Sequence, residues 1–176
     1  MAKRRKKATE LERHAYHEAG HAVMAYILRR RFHSVTIDPE KLDENTGGLV
    51  QLVHSRKLSE TVNFGSYGGD RVLVENQIKI TLGGEVACGL FAGRQNWEIA
   101  ENDIQACLSL AGSQCGDDEE AYAYLNWLLL SVRNELNLPH NWSRVCAVAK
   151  ALMKQKTLSY RKAREIIQNA KDEDIS

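Results

Sequence analysis

The sequence predicts a mainly α-helical domain of the α+β type, with a small β element after the first helix. Apolar residues recur at helical spacing through most of the chain, and its 176 residues include only 2 prolines. Two short runs of alternating apolar residues follow the first helical segment. A chain of this length with 43% hydrophobic residues can form one core, so we expect a single domain.

The first helix is predicted over residues 9–30, which have a dense apolar pattern, no proline and one glycine. Two strands are predicted over residues 33–38 and 48–54, and the polar segment 55–69 is expected to be a loop. Five further helices are predicted, over residues 71–90, 98–111, 119–136, 142–154 and 160–170.

Charge and hydropathy limit the expected partners and location. The net charge is +1, so no overall field draws the protein to nucleic acid or to a membrane. The basic run at residues 3–7 could contact phosphate or act as a targeting signal, but a solvated tail is the favoured interpretation. No apolar stretch reaches the roughly 20 residues of a membrane span, and no secretory signal is recognisable at the start. We therefore expect a cytoplasmic protein, with a basic disordered tail at residues 1–8 and one domain over residues 9–176.

The sequence His-Glu-Ala-Gly-His occupies residues 17–21 of the first predicted helix. Residues four apart share a helix face, so the imidazoles of His17 and His21 can bind one metal ion. Glu18 is rotated by about 100° from His17, so its carboxylate would flank the ion and accept a proton from water. His14 shares the face of the two histidines and is an alternative ligand.

A catalytic zinc site typically has three protein ligands and one open position, which requires a further ligand. Ile27 stands where an elongated motif of this class would carry a third histidine. In the predicted helix 98–111, Asp103 is the acidic residue on the apolar face. That face also carries Ile99, Ala106, Cys107 and Leu110. A buried carboxylate needs a metal ion or a base, and we favour a metal over a salt bridge to Arg71 or Arg94.

Residues 15–22, Ala-Tyr-His-Glu-Ala-Gly-His-Ala, resemble the active-site helix of the FtsH-type ATP-dependent zinc proteases. Residues 35–39, 81–87 and 100–106 are similar to that family's strand after the helix, glycine-paired helix segment and third-ligand motif. The resemblance implies a zincin-like helical peptidase domain. It also implies that Zn²⁺ is held by His17, His21 and Asp103, and that Glu18 is the catalytic base.

The chain departs from this family in two respects. It has no phosphate-binding G-x-x-x-x-G-K-[ST] sequence and no membrane anchor, and Cys88 and Gly89 stand where the family usually carries two acidic residues. The other cysteines, Cys107, Cys115 and Cys146, are expected to be core thiols. Cys88 is expected to be a core thiol too, or to affect the local support of the metal site.

The sequence therefore predicts a zinc metalloendopeptidase that hydrolyses peptides or unfolded polypeptides without an ATPase of its own. A separate ATPase or adaptor could deliver substrates, and the resemblance to ring-forming proteases makes a homo-oligomer one expectation. The first alternative is a catalytically inactive domain of the same fold that acts as a binding or regulatory module. The second is a nucleic-acid-associated factor that acts through the basic run at residues 3–7.

Overall fold

Six α-helices and a three-stranded antiparallel sheet form the part of the chain that the computed structural model describes, which is residues 8–41, 49–52, 71–93 and 101–171. The predicted mainly α fold with a small β element is confirmed. The predicted loop 55–69 and nearly all of the predicted tail lie outside the described residues. The helices are α1 (Glu10–Ile27), α2 (Arg71–Ala92), α3 (Glu101–Gly112), α4 (Asp118–Leu136), α5 (Pro139–Gln155) and α6 (Tyr160–Asn169).

Helix α1 is the central element of the core. It begins with a capping box, in which the Thr9 hydroxyl accepts the backbone N–H of Glu12 and the Glu12 carboxylate accepts the N–H of Thr9. Every residue from Ala15 to Ala25 is buried. The helix ends at Ile27, earlier than predicted, because Arg29 adopts a positive φ of 56°.

Helices α1 and α2 run in opposite directions and approach each other at glycines. A Cβ atom added to Gly20 would lie 2.6 Å from Cβ of Ala87, and one added to Gly83 would lie 2.8 Å from the carbonyl oxygen of Gly20. Both distances are too short for real Cβ contacts, so the two helix backbones touch at this crossing. The crossing brings the middle of α1 directly against α2.

The sheet has the strand order β2-β1-β3 and contains one strand that the sequence did not predict. Strand β1 (Phe32–Thr36) pairs with β2 (Leu49–Leu52) on one side and with β3 (Thr157–Ser159) on the other. Between β1 and β2 lies one turn of 3₁₀-helix, Pro39–Lys41. Strand β3 has only three residues, of which only Leu158 is apolar, so it carries no alternating pattern.

The later helices complete the core around α1. Helix α5 begins at Pro139, three residues before its predicted start, because proline is well suited to the first position of a helix. Helix α3 packs on α2 and α4, and its residues Cys107 and Ala111 are buried. None of the helices in the described ranges combines the length and the apolar character that crossing a membrane requires.

Candidate metal centre

Helix α1 presents the imidazoles of His17 and His21 side by side. The Nε2 atoms of the two rings are 2.9 Å apart, and the rings meet edge to face with centroids 4.6 Å apart. Both side chains are almost fully buried. The structure therefore brings these two residues together as the i, i+4 spacing predicts.

Asp103 of α3, which follows His17 by 86 residues in the sequence, lies beside the two histidines. Its Oδ2 atom lies 3.1 Å from Nε2 of His17 and 3.2 Å from Nε2 of His21. No salt bridge between Asp103 and Arg71 forms, since the Arg71 guanidinium lies over the ring of Tyr124, 4.9 Å from its centroid. Arg94, the other suggested partner, lies outside the described residues.

The three atoms have the spacing that a small metal ion requires. Two ligand atoms bound to zinc at about 2.0–2.1 Å with tetrahedral angles are about 3.3 Å apart. The observed separations of 2.9, 3.1 and 3.2 Å are close to this value. A point about 2.0 Å from all three atoms therefore exists, so the donor set fits zinc with little movement. Within the described residues, His17, His21 and Asp103 are the group of side chains with this property.

A backbone carbonyl of α2 orients the ring of His21. Nδ1 of His21 lies 2.8 Å from the carbonyl oxygen of Ile80. Because a carbonyl oxygen only accepts hydrogen bonds, Nδ1 carries the hydrogen, and Nε2 of the neutral ring presents its lone pair to Asp103. Two acceptors so close together need a proton or a cation between them. A metal-binding histidine usually donates its other ring N–H to a carbonyl or carboxylate oxygen in this way.

The pKa values of the cluster follow from burial and from mutual hydrogen bonding. Burial opposes protonation of His21, but its hydrogen bond to Asp103 and the negative charges of Glu18 and Asp103 raise its pKa to about 9. For His17, burial and the charge of His21 dominate and lower the pKa. Burial alone would raise the pKa of Asp103, yet hydrogen bonds from His17 and His21 hold it well below its usual range. In the absence of a cation, the three groups therefore titrate as one coupled cluster.

Glu18 lies next to the cluster and is buried, with 4% of its surface exposed. Within the part of the chain that is described, its Oε2 atom has no hydrogen-bond partner. Burial is the main cause that raises the pKa of Glu18 to about 7, with the charge of His21 opposing and that of Asp103 adding to it. A carboxylate with a pKa near neutrality and a free oxygen is suited to accept and return a proton.

Gly84 allows both imidazoles to lie against α2. A Cβ atom at this position would lie 2.6 Å from Cε1 of His21 and 2.7 Å from Nε2 of His17, and still closer to Nε2 of His21. Only a glycine leaves room for the rings in this position. Gly84 and the carbonyl of Ile80 are site elements that the sequence did not reveal by their chemistry. The pair Gly83-Gly84 inside a helix was the available signal.

His14 and Cys88 do not belong to the ligand cluster. His14 is partly buried one turn before His17, where burial lowers its pKa, and it is not among the convergent side chains. Cys88 is buried in α2, and burial, followed by the charge of Glu85, raises the pKa of its thiol to about 11. At neutral pH the Cys88 thiol is therefore protonated, and it is not among the convergent side chains.

Comparison with known proteins identifies no family for this chain. No protein-family model matches the sequence, and no curated protein matches it significantly. The resemblance to the FtsH-type proteases therefore stays a prediction from the motifs.

Proposed function

We propose that the protein is a zinc-dependent endopeptidase in which His17, His21 and Asp103 hold the metal and Glu18 is the general base. One observation carries the proposal, which is the convergence of two imidazole nitrogens and a carboxylate oxygen within 3.2 Å beside the buried Glu18. Two nitrogens and one oxygen are a common ligand set of catalytic zinc, and three protein ligands leave one position open.

The three proposed ligands differ in exposure. Asp103 has 33% of its side chain exposed, against 8% for His17 and 10% for His21. The Asp103 side chain is therefore the proposed ligand most in contact with solvent. A partly exposed ligand supports entry of a metal ion from solution.

Each residue has a separate task in peptide hydrolysis. Bound zinc would polarise the scissile carbonyl and make a water molecule more acidic. Glu18 takes the proton from the attacking water and passes it to the leaving amine, a role that its position beside the ligands and its Oε2 atom, which is free within the described residues, support. The Ile80 carbonyl keeps the His21 ring in the orientation and tautomer that leave Nε2 available.

The proposed substrates are peptides or unfolded polypeptides, on the basis of the family resemblance. We also propose delivery of substrates by a separate ATPase or adaptor and a homo-oligomeric state, both on the basis of the family resemblance. A cytoplasmic location stays a prediction from the sequence.

The substitution Glu18→Gln tests the proposal, with Glu10→Gln as the matched control on the exposed N-terminal turn of the same helix. Glu18→Gln should keep its zinc, measured by atomic emission, and should lose casein hydrolysis by about a hundredfold or more because it removes the general base. Glu10→Gln should change neither property.

Two results would decide against the proposal. Casein hydrolysis by Glu18→Gln at the wild-type rate would exclude Glu18 as the base. Zinc binding without chelator-sensitive hydrolysis in the wild type would instead favour the inactive binding module.

A further inference from the structure

Helix α4 has exposed apolar side chains in addition to its buried ones. It packs on α2, α3 and α5 through one stripe of buried residues, which are Ala121, Leu125, Leu128, Val132 and Leu136. Of the six large apolar side chains that are exposed in the described ranges, three are also on this helix, namely Tyr122 (57%), Trp127 (55%) and Leu130 (56%). Exposed apolar residues that cluster on one element indicate an interaction surface, whereas single scattered ones do not.

We define the outer face of α4 by five residues, which are Glu119, Tyr122, Asn126, Leu130 and Arg133. All five are exposed. Consecutive members are three or four residues apart, so at 100° per residue the five lie within about 80° of the helix circumference. They extend along about 21 Å of the helix at 1.5 Å per residue. This is the spacing with which one helix presents a face to another helix.

Trp127 borders the outer face, and neighbouring side chains hold its ring in place. The ring stacks on that of Tyr124, with centroids 6.3 Å apart and an interplanar angle of 13°. The ammonium group of Lys79 lies 5.7 Å from the Trp127 ring centroid and is itself paired with Glu75 at 2.7 Å. An aromatic ring that is already fixed loses little conformational freedom on association, so Trp127 is suited to contribute to an interface.

The chemistry of the outer face is complementary about its central residue, Asn126. Glu119 and Arg133 lie seven residues before and after Asn126. Tyr122 and Leu130 lie four residues before and after it. If two copies of α4 pack antiparallel about a two-fold axis beside Asn126, each residue faces the one at the same distance on the other side of Asn126. Acid then faces base, apolar residue faces apolar residue, and the two Asn126 amides can exchange hydrogen bonds.

The two charged residues of the outer face are available for pairing. Neither Glu119 nor Arg133 forms a salt bridge with another described residue. The neighbouring acids Asp117 and Glu120 instead accept the backbone N–H groups of Glu120 and Gly116. The helix dipole favours an acid at the start of α4 and a base at its end, but it does not account for the apolar residues between them. A parallel pair would bring equal charges together, so the charges favour the antiparallel arrangement.

We propose that the outer face of α4 is a dimer interface, at which two copies of this chain pack antiparallel about a two-fold axis beside Asn126. A second copy fits better than an unrelated partner because the face complements itself in charge and polarity at all five positions. One pair of helices makes a small interface, so we expect weak association, with a dissociation constant on the order of 10 μM. The family resemblance suggests only some homo-oligomeric state, whereas the outer face specifies a surface and a symmetry.

Sedimentation velocity of the full chain from about 1 to 300 μM measures the association, and the wild type should change from monomer to dimer over this range. Leu130→Lys puts a charge where Tyr122 of the second copy packs and should weaken dimerisation by more than about tenfold. Leu11→Lys on α1 is the matched control, because Leu11 is an exposed helical leucine outside the outer face. It should dimerise within about twofold of the wild type. The substituted side chains are exposed, so the far-UV circular dichroism of both variants should be unchanged.

Charge reversal tests whether the partner is a second copy and whether the helices are antiparallel. Glu119→Arg and Arg133→Glu should each weaken dimerisation about tenfold, because like charges then meet at both ends of the interface. An equimolar mixture of the two variants should dimerise about as well as the wild type, because each copy supplies the charge that the other lacks. In a parallel pair each variant alone would instead associate like the wild type.

Several results would overturn this interface. A wild type that stays monomeric up to about 300 μM would exclude the dimer. Dimerisation of Leu130→Lys at the wild-type level, or of any larger assembly that this substitution leaves intact, would place the contacts elsewhere. Failure of the mixed charge variants to recover would exclude the antiparallel arrangement. Glu18→Gln should dimerise as the wild type does even though it should lose hydrolysis, so the dimer and the proposed enzyme can fail separately.

Discussion

Replacement of Gly84 by alanine should weaken metal binding strongly without changing a ligand. The added Cβ would lie 2.7 Å from Nε2 of His17, about 1 Å short of an optimal contact. Metal–ligand distances tolerate deviations of only about 0.2 Å, so at least one imidazole must leave the position that the ion requires. We expect zinc affinity to fall by about a hundredfold, which corresponds to about 2.7 kcal/mol.

Zinc titration against a chromophoric chelator measures this affinity directly, and thermal unfolding provides a second measurement. At a zinc concentration of about 100 times the wild-type Kd, binding should stabilise the wild type by about 2.7 kcal/mol and Gly84→Ala by only about 0.4 kcal/mol. Gly112→Ala at the end of α3 is the control, since a Cβ there would meet nothing within 4 Å. Wild-type zinc affinity in Gly84→Ala would refute the close approach of the rings to α2.

Three further substitutions or measurements examine other contacts. Asp103→Ala removes the proposed third ligand and should reduce zinc affinity by more than about a hundredfold in the same titration, while retained affinity would point to another ligand. Gly20→Ala should lower the free energy of unfolding in urea by about 3 kcal/mol, because the new Cβ meets backbone and Cβ atoms of α2 that cannot rotate away. A change below about 0.5 kcal/mol would contradict the close crossing of α1 and α2. The thiol of Cys107 is fully buried, and burial is the main cause that raises its pKa to about 12. Iodoacetamide at pH 8 should therefore label Cys107 only after unfolding, and labelling of this thiol in the folded chain would contradict its burial.

Local periodicity accounts for the part of the site that lies on one helix. The 3.6-residue period decides that His17 and His21 share a face and that Glu18 flanks it, and the structure has this arrangement. The same reasoning placed Asp103 on the apolar face of its helix, where it does point towards the histidines. It also placed Ala106 on that face, but Ala106 is exposed, because α3 buries only a narrow stripe against α2 and α4.

Short or strained elements were beyond prediction for identifiable reasons. Strand β3 has three residues, and its hydrogen bonds go to β1 more than 100 residues earlier, so no local pattern marks it. The end of α1 depends on a positive φ at Arg29, a residue type that gives no sign of it. The start of α5 at Pro139 was placed too late because a proline can both end and begin a helix.

The sequence by itself determined the helical class of the fold and the residues of the candidate metal centre, because helix period and side-chain chemistry are local properties. Tertiary structure decided that Nε2 of His17, Nε2 of His21 and Oδ2 of Asp103 meet within 3.2 Å, since this depends on how α3 packs beside the glycine crossing of α1 and α2. It also decided the tautomer of His21 through the Ile80 carbonyl. These contacts are between atoms of residues that are far apart in the sequence, so the distances between the atoms depend on how the helices pack.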